Sequence, residues 1–123
     1  MKKPTTFQIG DRKIGTEFKP LIIFELGINH NGNLKLAKKI VDSAILAGAE
    51  VIKHQTHLPE DEMSNEAKKI IPVHANDSIY NIIKKCSLNE RDELELKNYI
   101  EKKKCNFSKH SFFEKSNRQV SKI

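Results

Sequence analysis

No stretch of this chain approaches the ~20 consecutive apolar residues that a membrane-spanning helix needs, and its mean hydropathy is −0.57. An integral membrane protein is excluded. The N-terminus, Met1-Lys2-Lys3-Pro4-Thr5-Thr6-Phe7, lacks the apolar core of a secretory signal. Cysteine is scarce: Cys86 and Cys105 alone cannot make a disulfide framework. Internal repeats and low-complexity linkers are missing as well. These absences set the expectation of a cytoplasmic, reducing home with no membrane partner. What is present is 123 residues, room for one domain at most, with 31% charged and 37% hydrophobic side chains. That balance does not describe a disordered chain.

The formal net charge of +6 invites a nucleic-acid reading, but its distribution argues otherwise. Residues 1–101 hold 15 Lys/Arg and 15 Asp/Glu, so the excess lies wholly beyond them. It comes from Lys102, Lys103, Lys104, Lys109, Lys115, Arg118 and Lys122, against Glu114 alone. A step in charge at one point of the chain needs its own explanation. A basic tail for RNA or an acidic surface is one.

Phe7–Gly15 reads as two short strands around a Gly10-Asp11 turn. Leu21-Ile22-Ile23-Phe24-Glu25-Leu26-Gly27-Ile28 is an almost unbroken apolar run with one carboxylate, the pattern of a parallel strand buried on both faces. Gly27 and Gly32 bracket a polar loop, and Asn33 is placed to cap a helix over 34–47. Leu34, Ala37, Ile40, Val41, Ala44 and Ile45 give that helix one apolar stripe, and Gly48 ends it. Ala49–His57 is a second strand, turning polar at its carboxyl end, so strand, helix and strand form a βαβ unit. Residues 58–76 read as a polar loop with a short helix near Asn65–Ile70. Asp77 is placed to cap a helix with Ile79, Ile82, Ile83 and Cys86 on its apolar side. Asn89, with Glu90, Asp92 and Glu93 behind it, opens another running to about Lys103, with apolar positions Leu94, Leu96, Tyr99 and Ile100. After it the periodicity fails, leaving two parallel strands. Two strands cannot cover the helices, so the pattern is part of a larger α/β fold.

Residues two apart in a strand share a face. Lys53 and Gln55 therefore point together, at the carboxyl end where ligands gather in βα folds. An ammonium buried there needs an anion; a lysine snorkelling to solvent is the structural alternative. Glu25 sits amid apolar residues at the end of the first strand, where burial alone would raise its pKa and a cation would relieve the cost. Lys53 is the candidate partner, whether in a site or in a purely structural ion pair. His30, His54, His57 and His74 suggest a metal, but His54 and His57 are three apart on a strand and face opposite ways. They are expected to be loop or surface residues.

The segments Phe24-Glu25-Leu26-Gly27-Ile28-Asn29-His30-Asn31-Gly32, Val51-Ile52-Lys53-His54-Gln55-Thr56-His57 and Glu60-Asp61-Glu62-Met63-Ser64 resemble bacterial N-acetylneuraminate (sialic acid) synthase. Three separated motifs keep the family's order and spacing, from about Phe7 to Glu101. The resemblance implies a (β/α)8 barrel with a further C-terminal domain, usually in a homodimer. It implies condensation of phosphoenolpyruvate with N-acetylmannosamine to give sialic acid and phosphate, with a divalent metal (Mn2+ or Mg2+) polarising the sugar aldehyde. By the same resemblance Glu25 and Gln55 contact the amino sugar and Lys53 binds phosphoenolpyruvate. The family usually has Gly-Asn where this chain has Val73-His74. Legionaminic and pseudaminic acid synthases are the nearest alternatives.

A barrel takes ~250 residues, so the expectation is an incomplete one: a hairpin and two βα units over 1–104, without the family's metal-binding histidines. The tail 105–123 is expected to be aberrant and disordered. One synonymous codon set for Cys105–Ile123, read one nucleotide on, encodes Val-Ile-Phe-Leu-Ser-Thr-Pro-Phe-Ser and then an amphipathic helix, which is the family's next βα unit. A change of frame near Lys102–Lys104 would explain both the charge step and the lost period. Such a chain is expected to be inactive alone, with an exposed edge at its second strand. The rival from another class is a small basic protein whose tail contacts RNA or phospholipid, to be recognised by salt-sensitive binding lost on deleting 102–123.

Overall fold

The computed structural model describes residues 5–103 and the strand Phe112–Glu114. Strands β1 (Phe7–Ile9) and β2 (Arg12–Ile14) form the expected antiparallel hairpin around Gly10, whose φ is 56°. Arg12 ties it down: Nε donates to Glu50 Oε2 at 2.8 Å and Nη2 to the Lys19 carbonyl at 2.7 Å.

Strands β3 (Ile23–Glu25) and β4 (Val51–Gln55) run parallel, with Ile23 beside Val51 and Glu25 beside Lys53. The helix between them, α1 (Leu34–Leu46), starts where Asn33 Oδ1 accepts from the Leu36 amide at 2.9 Å. It ends before Gly48, which takes a φ of 99°. Ala37, Val41 and Ala44 are buried and Leu34, Ile40 and Ile45 pack beside them, as the spacing predicts. With Leu26, Ile52, Leu88, Leu96 and Ile100 they form one core on the helix side of the sheet.

Beyond β4 a one-turn helix, α2 (Pro59–Glu62), opens the long loop, and a 3-10 turn at Ala67–Lys69 lies within the expected 65–70 helix. The sequence reading passed over α2, although proline at the first helical position followed by three acids is a start signal. Helix α3 (Ile79–Cys86) is capped by Ser78, whose Oγ accepts from the Asn81 amide, rather than by Asp77. Asp77 instead accepts from the Ser78 amide and the Asn81 side chain, both at 2.7 Å. Helix α4 (Glu90–Lys103) starts at Asn89, whose Oδ1 accepts from the Asp92 amide at 2.9 Å. Leu96 and Ile100 face the core, but Leu94 is exposed. Two residues before Leu96, it lies about 200° around the helix and cannot share that face.

Three expectations change. The first strand is only three residues long and is not buried on both faces: Ile22 and Ile23 are each about half exposed. Helices α1 and α4 supply the core on the Ile52 side of the sheet, while on the other side Ile23 is 53% exposed although Val51 is buried. The sheet has a third parallel strand, β5 (Phe112–Glu114), with Phe112 beside Lys53, in an order β3-β4-β5. The open edge among the described residues is therefore that of β3, not β4. Residues 104–111 and 115–123, with Cys105 and most of the expected aberrant tail, lie outside the described residues. No helix among those described is long and apolar enough to cross a membrane.

Candidate active site at the carboxyl ends of the parallel strands

Strand β4 has two faces of different chemistry. Ile52 and His54 point back and are buried under the helices, while Lys53 and Gln55 point forward. Glu25, at the end of β3 and in register with Lys53, joins the forward face. Lys53 Nζ donates to Glu25 Oε1 at 2.8 Å. The three residues singled out from the sequence thus stand together where β3 and β4 end. Burial differs from the expectation: the Lys53 and Glu25 side chains are 40% and 69% exposed and Gln55 is exposed. Glu25 is thus not buried as its apolar neighbours in sequence suggest.

This arrangement offers an ammonium with three donors, a carboxylate that only accepts, and an amide that does both. An anion can share Lys53 with Glu25, and hydroxyl groups can donate to Glu25 or exchange hydrogen bonds with Gln55.

The back of β4 holds what the sequence reading missed. His30 and His54, expected as loop or surface residues, are 1% and 2% exposed, with ring centroids 5.7 Å apart. His30 lies in the β3–α1 loop, where its Nδ1 accepts from the Gly32 amide at 3.1 Å. Its pKa is lowered, first by burial and then by the neighbouring His54, so it stays neutral. Glu93, in the first turns of α4, takes the Thr56 hydroxyl hydrogen bond at 2.7 Å on one oxygen and lies 3.4 Å from His54 Nε2 with the other. Alternation along β4 places His54 and Thr56 on the helix side, which was the available signal; the partner on α4 was not readable from spacing.

His57 pairs with Glu62 at 3.0 Å, and the other Glu62 oxygen accepts from the Leu58 amide, so this pair closes α2. Val73 and His74, which replace the Gly-Asn of the resemblance, are both exposed on the loop. Among the described residues no group of three His, Cys, Asp or Glu stands close enough to hold a metal ion. The described residues do not fit the implied divalent cation.

Comparison with known proteins gives consistent relatives. Residues 40–123 match the sequence model of the NeuB family. That span includes Cys105–Ile123, where a change of frame is expected. N,N'-diacetyllegionaminic acid synthase of Campylobacter jejuni is 38% identical over 94 residues, 73% of this chain and 28% of that protein. Pseudaminic acid synthase of the same species is 42% identical over 62 residues, 50% of this chain and 18% of that protein. Among solved structures, an N-acetylneuraminic acid (sialic acid) synthetase from Leptospira borgpetersenii superposes with a TM-score of 0.66 at 28% identity, over 91% of this chain and 34% of that one. The chain spans about a quarter of the length of the curated relatives it matches.

Proposed function

Because this chain belongs to the NeuB family, we propose that Lys53, Glu25 and Gln55 form part of the active site of a phosphoenolpyruvate-dependent sugar-acid synthase, an N-acetylneuraminate synthase. In that reaction C3 of phosphoenolpyruvate forms a bond to the aldehyde carbon of N-acetylmannosamine, water adds at C2 and phosphate leaves. Lys53 holds the phosphoenolpyruvate anion. Glu25 accepts hydroxyl hydrogen bonds from the amino sugar, and Gln55 fixes the sugar from the same strand face. The supporting observation is the 2.8 Å contact of Glu25 with Lys53 at the ends of two parallel strands, with Gln55 two residues on. An ammonium already aimed by a carboxylate needs little reorganisation to receive an anion.

The same site accommodates a second reading, in which the sugar is a precursor of legionaminic or pseudaminic acid. The names of the 38% and 42% identical relatives favour it. Under either reading the complete site belongs to a (β/α)8 barrel in a cytoplasmic homodimer, of which this chain supplies the first βα units. The chain alone turns over no substrate.

Isotope-labelled chain titrated with phosphoenolpyruvate and then N-acetylmannosamine tests the assignment. The first is expected to shift the Lys53 side-chain signal and the second the Gln55 amide. Lys53→Met is expected to abolish the phosphoenolpyruvate response with little loss of fold, since an exposed ion pair contributes only about 0–1 kcal/mol. A Lys53→Met chain that binds phosphoenolpyruvate like the wild type would sink the reading. Phosphate release from the two substrates tests inactivity; steady turnover by the chain would refute it.

A further inference from the structure

Gln55 is the last residue of β4, so the sheet's ladder stops at it and Thr56 lies beyond. Something else must hold the backbone on its far side. Behind the strand, Glu93 supplies that hold: one oxygen takes the Thr56 hydroxyl at 2.7 Å and the other lies 3.4 Å from His54 Nε2. The two anchored residues flank Gln55 on either side. Glu93 is itself well placed, because its amide donates to the Asn89 carbonyl at 2.9 Å and its side chain is 13% exposed. A carboxylate can only accept, so it fixes the Thr56 hydroxyl as donor.

From this geometry we infer that Glu93 is a positioning residue: it clamps the back of β4 through Thr56 and His54 and so aims Gln55 on the front face. The inference rests on the proposed amino-sugar role of Gln55. It assigns Glu93 no contact with substrate. Lys53 lies further from Thr56 and has its own strap in Glu25, so the effect falls on the sugar rather than on phosphoenolpyruvate.

The test uses the full chain as wild type, Thr56→Val, Glu93→Leu, and the two changes combined. Valine keeps the shape of threonine without its hydroxyl, and leucine keeps much of the bulk of glutamate without an acceptor. Each single change is expected to speed amide exchange at Gln55 and Thr56 by about tenfold, the worth of one lost hydrogen bond. Exchange at Val41, in the middle of α1, is expected to stay within about twofold, which marks the effect as local. N-acetylmannosamine binding is expected to weaken by about tenfold and phosphoenolpyruvate binding by under about twofold. The combined change is expected to match the single ones, because both cut the same link. Exchange that rises equally at Gln55 and Val41 would reduce Glu93 to a general structural prop and overturn the inference. Unchanged exchange at Gln55 would overturn it too. If the wild-type chain binds no amino sugar, the functional reading fails, while the contrast in exchange still decides whether Glu93 aims Gln55.

Discussion

Single side chains in this protein carry their weight through what faces them. Glu60 is exposed at 63%, yet three groups converge on it: the Tyr80 hydroxyl donates to it, Lys68 stands at 3.1 Å and Lys84 at 3.2 Å. Tyr80 first, then Lys68 and Lys84, hold its carboxyl down at about 2. A depressed carboxylate stabilises the fold fully above its unfolded value and loses that contribution as pH falls through its folded one. The tie from α2 to α3 is therefore expected to hold at pH 5 and to fail as pH falls from about 4.5 toward 2. Carbon-detected titration of the Glu60 carboxyl checks this, with a midpoint near 2 expected; a midpoint near 4.5 would mean the three partners do not gather in solution. Glu25 presents the opposite case. The sequence places it beside Lys53 correctly, but the expectation of a buried, costly carboxylate came from its apolar neighbours in sequence, which say nothing about what lies across the sheet.

At the scale of elements, local chemistry decides the starts and stops. Asn33 and Asn89 cap α1 and α4 by side-chain acceptance of the amide three residues on, and both were readable as caps. Gly32 was legible only as a loop glycine. In the structure its φ is 70°, and a Cβ added there would lie 2.6 Å from the Lys85 carbonyl oxygen at the end of α3. The β3–α1 loop and α3 approach too closely for any side chain. Gly32→Ala is expected to cost about 2 kcal/mol or more, combining left-handed strain with a backbone clash. A denaturant melt measures it, and a loss under about 0.5 kcal/mol would show that the loop and α3 separate readily. The burial of His30 follows from the same turn, since Gly32 donates to its ring.

At the scale of the whole molecule, the core lies where α1 and α4 pack on the back of the sheet, and Ile23 on the front stays 53% exposed with Ile22 beside it at 52%. Ile22, Phe24, Leu36 and Ile40 also line an open groove of about 590 Å³ along β3. An unpaired strand edge beside apolar surface promotes association. The chain is expected to self-associate with rising concentration, and Ile23→Lys to weaken that by about tenfold or more, the effect of setting a charge at an apolar contact. Sedimentation velocity across a concentration series reads this directly; a monomer at all concentrations would show that the face is covered by other means.

Alternation and caps, visible in the residues alone, determined the βαβ unit, the stripe on α1 and the shared face of Lys53 and Gln55, because each depends only on neighbours a few positions apart. The family motifs in the same stretches pointed to the family to which the chain belongs. Only the tertiary structure decided that Glu25 meets Lys53 in the open, that His30 and His54 are buried, that Glu93 grips the back of β4, and that Phe112–Glu114 joins the sheet. Those outcomes depend on which surfaces meet across 28, 39 or some 59 residues of chain, and local periodicity carries no record of such distances.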